Sequence, residues 1–427
     1  MNNQTKNILR EEIKKINPSE EEQQQIKKLL KELSKNIQTQ IKNKKIKADV
    51  FIGGSYAKGT LIRKEKYDID IFVRFNVKYN NEKISSMLQK ILPKNAKNIH
   101  GSRDYFSLTL GNIEFEIIPV LNIKKPEEAK NITDLSYFHV NYVKRKIAKN
   151  PRLADEIKLA KAFLHFQGCY GAESYINGFS GYALELAIIH YKTFANFVKS
   201  MAKIKIDAGK IVIDSEKLYK NKEAVLREVN ESKLSSPIIL IDPTFKERNA
   251  LAALSENTFS RFREACVKFL KNPSTDFFKK KDNVGILEKK YGNKLIQLNL
   301  STDRQAGDIA GTKLKKFFSF FCSKVERYFD IKERYFEYNE EENIGKVYLV
   351  LNPKKEIIFH GPPVEMEDRL REFKKEHKKV IITAGKSYAK EKNNLDFEKF
   401  LNNFSNKEEK IIREMGVESL SLNWNVV

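Results

Sequence analysis

Between Glu20 and Asn43 the apolar residues Ile26, Leu29, Leu30, Leu33, Ile37 and Ile41 recur at three- and four-residue spacing, which marks one face of a helix packed on the next segment of the chain. The period then changes. Strands are expected at Ala48–Ile52 and Tyr67–Phe75, separated by a Gly-Gly-Ser turn, then a helix near Glu82–Leu92 and strands at Asp104–Leu110 and Asn112–Val120. This is one mixed α/β domain ending near residue 140. From there to about residue 275 the pattern is helical, clearest at Leu153–Gln167, Gly181–Met201 and Thr258–Lys271, with a short strand at Pro237–Ile241. In the last of these helices Phe259, Phe262, Cys266, Phe269 and Leu270 share a face, Asn257 offers an N-cap and Pro273 follows the end. The remainder reads as a separate α+β unit: strands at Leu295–Leu300, Tyr335–Tyr338 and Lys346–Asn352, and helices at Leu314–Tyr328 and Glu367–His377. The expected organisation is therefore 1–140, 141–275 and 276–427, without internal repeats.

Composition changes the picture in one respect. The 427 residues carry 79 Lys plus Arg against 56 Asp plus Glu, a net charge of +23, which favours a polyanionic partner. A Lys-rich background gives the same balance, with clusters such as Lys42, Lys44, Lys45 and Lys47, or Lys279-Lys280-Lys281, merely solvated. Cys169, Cys266 and Cys322 lie far apart with no CxxC pair, so neither a zinc cluster nor a disulfide framework is expected, and a reducing cytoplasm suits them. The N-terminal stretch is polar, and the longest apolar run, Gly181 to Ile189, contains Glu185 and is too short to span lipid. No membrane role is expected.

The chemistry centres on GGSYAKGT followed by YDIDIFVRF. Side chains alternate along a strand, so Asp68 and Asp70 leave the same face, with Cα atoms about 7 Å apart, while Ile69, Ile71 and Val73 point into a core. Magnesium prefers hard oxygen ligands and keeps substrate phosphates among them, so paired acids on a rigid strand suit phosphoryl chemistry. Glu114 and Glu116 share a face of a later strand and either could supply a third acid; Glu116 is the better candidate because apolar residues follow it. Gly54 and Ser55 close a strand and open a helix, where phosphate oxygens can approach backbone N–H groups. Turn, paired acids and third acid together are far more specific than any one of them.

This arrangement resembles the polymerase-β-like nucleotidyltransferase superfamily. The stretches CYGAESYINGFSGYALELAIIHY and IDPTFKERNALAALSENTFSRF, and the later His360-Gly361-Pro362-Pro363-Val364-Glu365, are similar to the archaeal, class I CCA-adding enzymes. The resemblance implies an α+β multidomain fold, with a polymerase-β-like nucleotidyltransferase head, a helical neck and an α+β body and tail in an elongated arrangement. It also implies addition of C, C and A to tRNA 3′ ends from CTP and ATP without a nucleic-acid template. Asp68, Asp70 and Glu116 would be the Mg²⁺-binding, catalytic carboxylates; Gly54, Ser55 and Lys58 would contact the triphosphate. His139, Lys161 and Tyr170 would hold the incoming nucleotide and Arg248 would take part in selecting the base. Asp68 stands where those members carry Glu, and Glu116 where they carry Asp.

Taken without the resemblance, Lys161 reads as a solvated helix residue, His139 and Tyr170 as packing residues, and Arg248 as a partner of an acid such as Asp242. Two other functions fit the same head: an RNA-activated oligoadenylate or cyclic-dinucleotide synthase, and a catalytically silent RNA-binding relative. The long C-terminal unit and the Arg248 region weigh against the first, and the intact acids against the second. Oligomeric state, a homodimer included, stays open.

Overall fold

Ser19 and Glu22 cap each other reciprocally, each side chain accepting from the other's backbone N–H. This box ends α1 (Asn3–Ile16) and launches the longer α2 (Glu20–Asn43). The structure, a computed structural model, describes residues 3–101, 103–205, 209–280, 282–302, 307–340, 342–377 and 379–423. Lys281 of the basic run lies outside them.

After α2 come β1 (Ala48–Ile52), α3 (Gly54–Lys58), β2 (Tyr67–Phe75), α4 (Ile84–Gln89), β3 (Lys97–Ile99), β4 (Tyr105–Leu110) and β5 (Ile113–Leu121). The five strands form one sheet ordered β1-β2-β5-β4-β3, with β2 and β5 parallel and the other pairs antiparallel. Ile26, Leu30, Leu33 and Ile37 of α2 share a core with Ile69, Ile71, Val73, Phe115 and Ile117. Each such side chain contributes about 1.5–3 kcal/mol when buried. A one-residue slip of β2 would expose its apolar set and bury both acids, so packing fixes which way Asp68 and Asp70 point. The acids lie on the opposite face of the sheet, where the start of α3 approaches Phe72 and Asp70.

A second core is aromatic. It unites α5 (Ser136–Lys149), α6 (Arg152–Phe166), α7 (Gly181–Tyr191), α8 (Phe194–Lys203) and, further on, α10 (Glu256–Lys271) around Phe163, Phe179, Phe194, Phe262 and Phe269. Between α8 and α10 run β6 (Ile211–Ile213), α9 (Lys222–Glu228), β7 (Ile238–Asp242) and β8 (Phe245–Asn249), the strands forming a small sheet ordered β6-β7-β8. The chain divides into two units, Met1–Ala172 with Ile176–Lys280, and Glu173–Tyr175 with Lys281–Val427. Residue 140 lies inside α5.

The second unit contains α11 (Asn283–Tyr291), β9 (Leu295–Ser301), α12 (Gly307–Val325), β10 (Phe329–Asn339), β11 (Ile344–Pro353), β12 (Glu356–Pro363), α13 (Glu367–Glu376), β13 (Val380–Thr383), β14 (Lys386–Lys392), α14 (Phe397–Lys407), α15 (Glu409–Glu414) and β15 (Ser419–Asn423). A four-stranded sheet ordered β10-β11-β9-β15 packs on the Phe-rich face of α12, and a three-stranded sheet is ordered β12-β14-β13. No helix among the described residues is long and apolar enough to cross a membrane.

Several local expectations are corrected. The helix expected over Gly181–Met201 is two helices, because Lys192 takes φ 69° and Thr193 caps a new start by accepting from Asn196 N. Ser255, not Asn257, caps α10, accepting from Thr258 N. α4 is shorter than Glu82–Leu92, and α12 starts at Gly307 rather than Leu314.

Candidate active site

Parallel pairing of β2 with β5 places Asp68 opposite Glu114 and Asp70 opposite Glu116. On its other side Glu116 faces Ser107 of β4. Four acids thus occupy two neighbouring rungs of one sheet face. Their surroundings differ. Asp68 is half-exposed, and Lys64 Nζ lies 3.0 Å from its Oδ2. Glu114 accepts from Ser107 Oγ and pairs with Lys66 Nζ at 2.7 Å. Burial would raise the Glu114 carboxyl, but Lys66 and Ser107 hold it below its usual range.

Asp70 points at the turn before α3. Gly53 N donates to Asp70 O at 3.0 Å, anchoring the turn to the strand. Gly54 has φ +60°, and a Cβ there would collide with the Asp70 carboxylate, so only glycine lets turn and acid approach this closely. Burial, reinforced by neighbouring Asp68, pushes the Asp70 carboxyl up, against the pull of Lys58 and Lys161. Ser55 follows Gly54 in the first turn of α3, and its carbonyl accepts from Thr60 N at 2.9 Å, which folds the chain back after the helix.

Lys58 ends α3 and reaches Glu185 of α7, Nζ to Oε2, at 2.6 Å. Lys161 of α6 reaches Oε1 of the same carboxylate at 3.1 Å and also donates to Thr60 Oγ1 at 3.0 Å. Glu185 is fully buried, yet the two ammonium groups hold its carboxyl below the ordinary range against the cost of burial. One carboxylate between two lysines leaves a net positive charge within electrostatic range of Asp70. Lys161 is buried rather than solvated as the helix pattern alone suggested.

A second buried carboxylate, Asp242 at the end of β7, organises the remaining predicted residues. It accepts from Tyr182 Oη at 2.9 Å, from Thr244 N and Oγ1 at 2.8 Å each, and from Arg248 Nη1 at 2.9 Å. His139 Nε2 lies 3.0 Å from its Oδ2, and the imidazole stacks on Tyr182 with ring centroids 3.9 Å apart. Burial opposes ionisation of Asp242, but His139 and Arg248 overcome it and lower its pKa. Burial lowers the His139 pKa against the pull of the Asp242 carboxylate. Tyr170 follows α6, bridges to Phe179, and sets its hydroxyl against Gly181 at the start of α7.

The fold therefore collects the predicted residues into three groups: Asp68, Asp70 and Glu116 with Gly54 and Ser55; Lys58 with Lys161; and His139 with Arg248. Tyr170 stands beside the start of α7. Glu185 and Tyr182 join these groups with no role expected from the sequence, and Asp242, expected only as an acid that Arg248 could pair with, makes that pair. In the sequence Glu185 is the lone acid in an apolar run, and that oddity was the available signal.

Among the described residues no three His, Cys, Asp or Glu side chains gather into a ready-made metal cage. The donors nevertheless suit magnesium. They are hard carboxylate oxygens on adjacent rungs, and the half-buried Asp70 carboxyl is raised by its surroundings, which a bound cation would relieve. A magnesium ion that retains waters and phosphate oxygens needs only one or two protein carboxylates.

Family models match the chain in two places: the second domain of tRNA nucleotidyltransferases over residues 155–279, and the Second Messenger Oligonucleotide or Dinucleotide Synthetase domain over residues 3–137. The CCA-adding enzyme of Nanoarchaeum equitans is 35% identical over 78% of this chain and 81% of its own length. That of Methanocaldococcus jannaschii is 29% identical over 90% and 86%. In three dimensions the Cid1 poly(U) polymerase aligns with a TM-score of 0.52 at 12% identity, covering 65% of this chain and 99% of its own, a likeness of fold.

Proposed function

The chain belongs to the family of CCA-adding enzymes, and on that premise we propose that it extends tRNA 3′ ends with C, C and A, taken from CTP and ATP without a nucleic-acid template. The observation that carries the reading is the Asp70–Glu116 rung beside the Gly54 turn, with Asp68 on the same face and two lysines sharing one buried glutamate nearby.

In this reading the tRNA 3′-hydroxyl attacks the α-phosphate of CTP or ATP, its proton is lost, and pyrophosphate leaves. Asp68, Asp70 and Glu116 would hold magnesium, which when bound lowers the pKa of the attacking hydroxyl and stabilises charge on the transferring phosphoryl group. Glu116 shares its rung with Asp70, which favours it as the third carboxylate. Gly54 and Ser55 present backbone to the triphosphate, while Lys58 and Lys161 supply the positive charge that orients it. His139 and Tyr170 hold the nucleotide, and Arg248, steadied by Asp242, faces the base. Residues 1–140 act as catalytic head, 141–275 as nucleotide-selecting neck and 276–427 as tRNA-binding body and tail. The +23 charge attracts the RNA backbone, so binding weakens as salt rises. The reading places the enzyme in the cytoplasm.

The match of residues 3–137 to second-messenger synthetases supports a second reading, oligonucleotide or cyclic-dinucleotide synthesis by the same head. Incubation with magnesium, labelled CTP and ATP, and tRNA lacking its 3′ CCA separates the two. Stepwise extension of the tRNA by CTP and then ATP is expected; short nucleotide products without tRNA extension would establish the second reading instead.

A further inference from the structure

Lys64 belongs to neither α3 nor β2 but to the segment joining them, and its ammonium sits on a carboxylate oxygen of Asp68, one of the acids that would hold magnesium. Lys64 Nζ lies 3.0 Å from Asp68 Oδ2, with the lysine side chain 35% exposed and the aspartate 49%. A half-exposed pair four residues apart holds together weakly and breaks easily. An ammonium and a divalent cation on one carboxylate oxygen exclude each other by space and by charge. The Lys64 ammonium is also within electrostatic range of Asp70, Tyr170 and His165. It therefore lies near a second carboxylate, Asp70, and near Tyr170, which the proposed function gives to the incoming nucleotide.

Resting on that function, we propose that Lys64 is a positioning residue: it holds Asp68 in the metal-free enzyme and passes to the triphosphate when magnesium and nucleotide bind. The exchange keeps one cation on Asp68 throughout and brings a further positive charge to the phosphates as the metal arrives. A mere surface ion pair would have no reason to affect metal and nucleotide binding in opposite directions.

The test uses the full chain with Lys64→Met, and Lys64→Gln as a second variant that keeps a polar side chain without charge. Mn²⁺ alone, followed by electron paramagnetic resonance, and CTP in the presence of Ca²⁺, followed by calorimetry, are the probes. Removing the competing ammonium should tighten Mn²⁺ binding by about two- to fivefold, the scale of one exposed ion pair. Removing its later contact should weaken CTP binding about tenfold, the scale of one charge-assisted hydrogen bond. Unchanged or weaker Mn²⁺ binding in both variants, or CTP binding that tightens in parallel, overturns the proposal. Wild-type protein that binds Mn²⁺ through Asp68, shown by its loss in Asp68→Asn, but does not extend tRNA refutes the proposed function and leaves the Mn²⁺ comparison a valid test of Lys64.

Discussion

Lys58 Nζ lies 2.6 Å from Glu185 Oε2 although the two residues are 127 positions apart, and the glutamate is wholly buried. Lys161 occupies the other oxygen, so Glu185→Gln leaves two buried ammonium groups without their shared counter-ion. Such a change costs about 3–5 kcal/mol of stability near pH 7, read from denaturant unfolding. The folded state lowers the Glu185 pKa, so the stabilisation is present above the ordinary glutamate range and is lost as pH falls from that range through the lower folded value. Wild type and variant should therefore converge in stability in acid; a constant gap from neutral to acid pH would show that the charge is not what matters.

The parts of this site visible in the sequence are those set by local periodicity. Alternation along Tyr67–Phe75 reveals that Asp68 and Asp70 share a face, and the three-and-four spacing of Ile26 to Ile41 reveals α2. Neither says which strand lies beside β2, so the preference for Glu116 over Glu114 rests in the sequence only on the apolar residues that follow it, and the shared rung with Asp70 comes from the parallel register. Lys161 looked solvated because helical spacing reports a face but not what covers it; here α7 brings Glu185 over it. Conversely, Glu185 read as an interruption in an apolar run because its partners are distant in sequence. The break between α7 and α8 is not legible in the sequence because one residue at positive φ, Lys192, leaves the apolar spacing on both sides intact.

Glu116 and Glu114 project from the same face of β5 but should differ in importance. Glu116 shares a rung with Asp70, whereas Glu114 is held by Lys66 and Ser107. Glu116→Gln should lower single-turnover CTP incorporation into tRNA by at least about 100-fold, the scale of losing one preorganised electrostatic contact at the reacting phosphate. Glu114→Gln should stay within a few-fold of wild type, and the reverse order would move the third carboxylate to Glu114.

Asp242 ties His139, Tyr182 and Arg248 into one buried group. Asp242→Asn keeps the shape and removes the charge, which should cost about 3 kcal/mol at pH 7. Because folding lowers the Asp242 pKa, its stabilisation is complete above the ordinary aspartate range and declines as pH drops through that range toward the lower folded value. The cost of the substitution should shrink accordingly in thermal melts run from pH 7 to pH 3. With Arg248 released, the ratio of CTP to ATP incorporation should also shift, while an unchanged ratio would remove Arg248 from base selection.

Gly54 and Gly59 bracket the same short helix, both at positive φ, +60° and +70°. Alanine at either carries a similar backbone strain of about 1–2 kcal/mol. Their surroundings separate them. At Gly59 a Cβ meets nothing within 4 Å, whereas at Gly54 it collides with the Asp70 carboxylate. Gly54→Ala must therefore push that carboxylate or the turn aside, and a displacement of about 1 Å at a reacting centre costs on the order of 100-fold in rate. Gly59→Ala should lose stability but keep its rate per folded molecule. Measuring both variants for melting temperature and for single-turnover incorporation isolates the contact from the strain. Equal losses of rate in the two would mean that the approach of Gly54 to Asp70 has no part in the reaction.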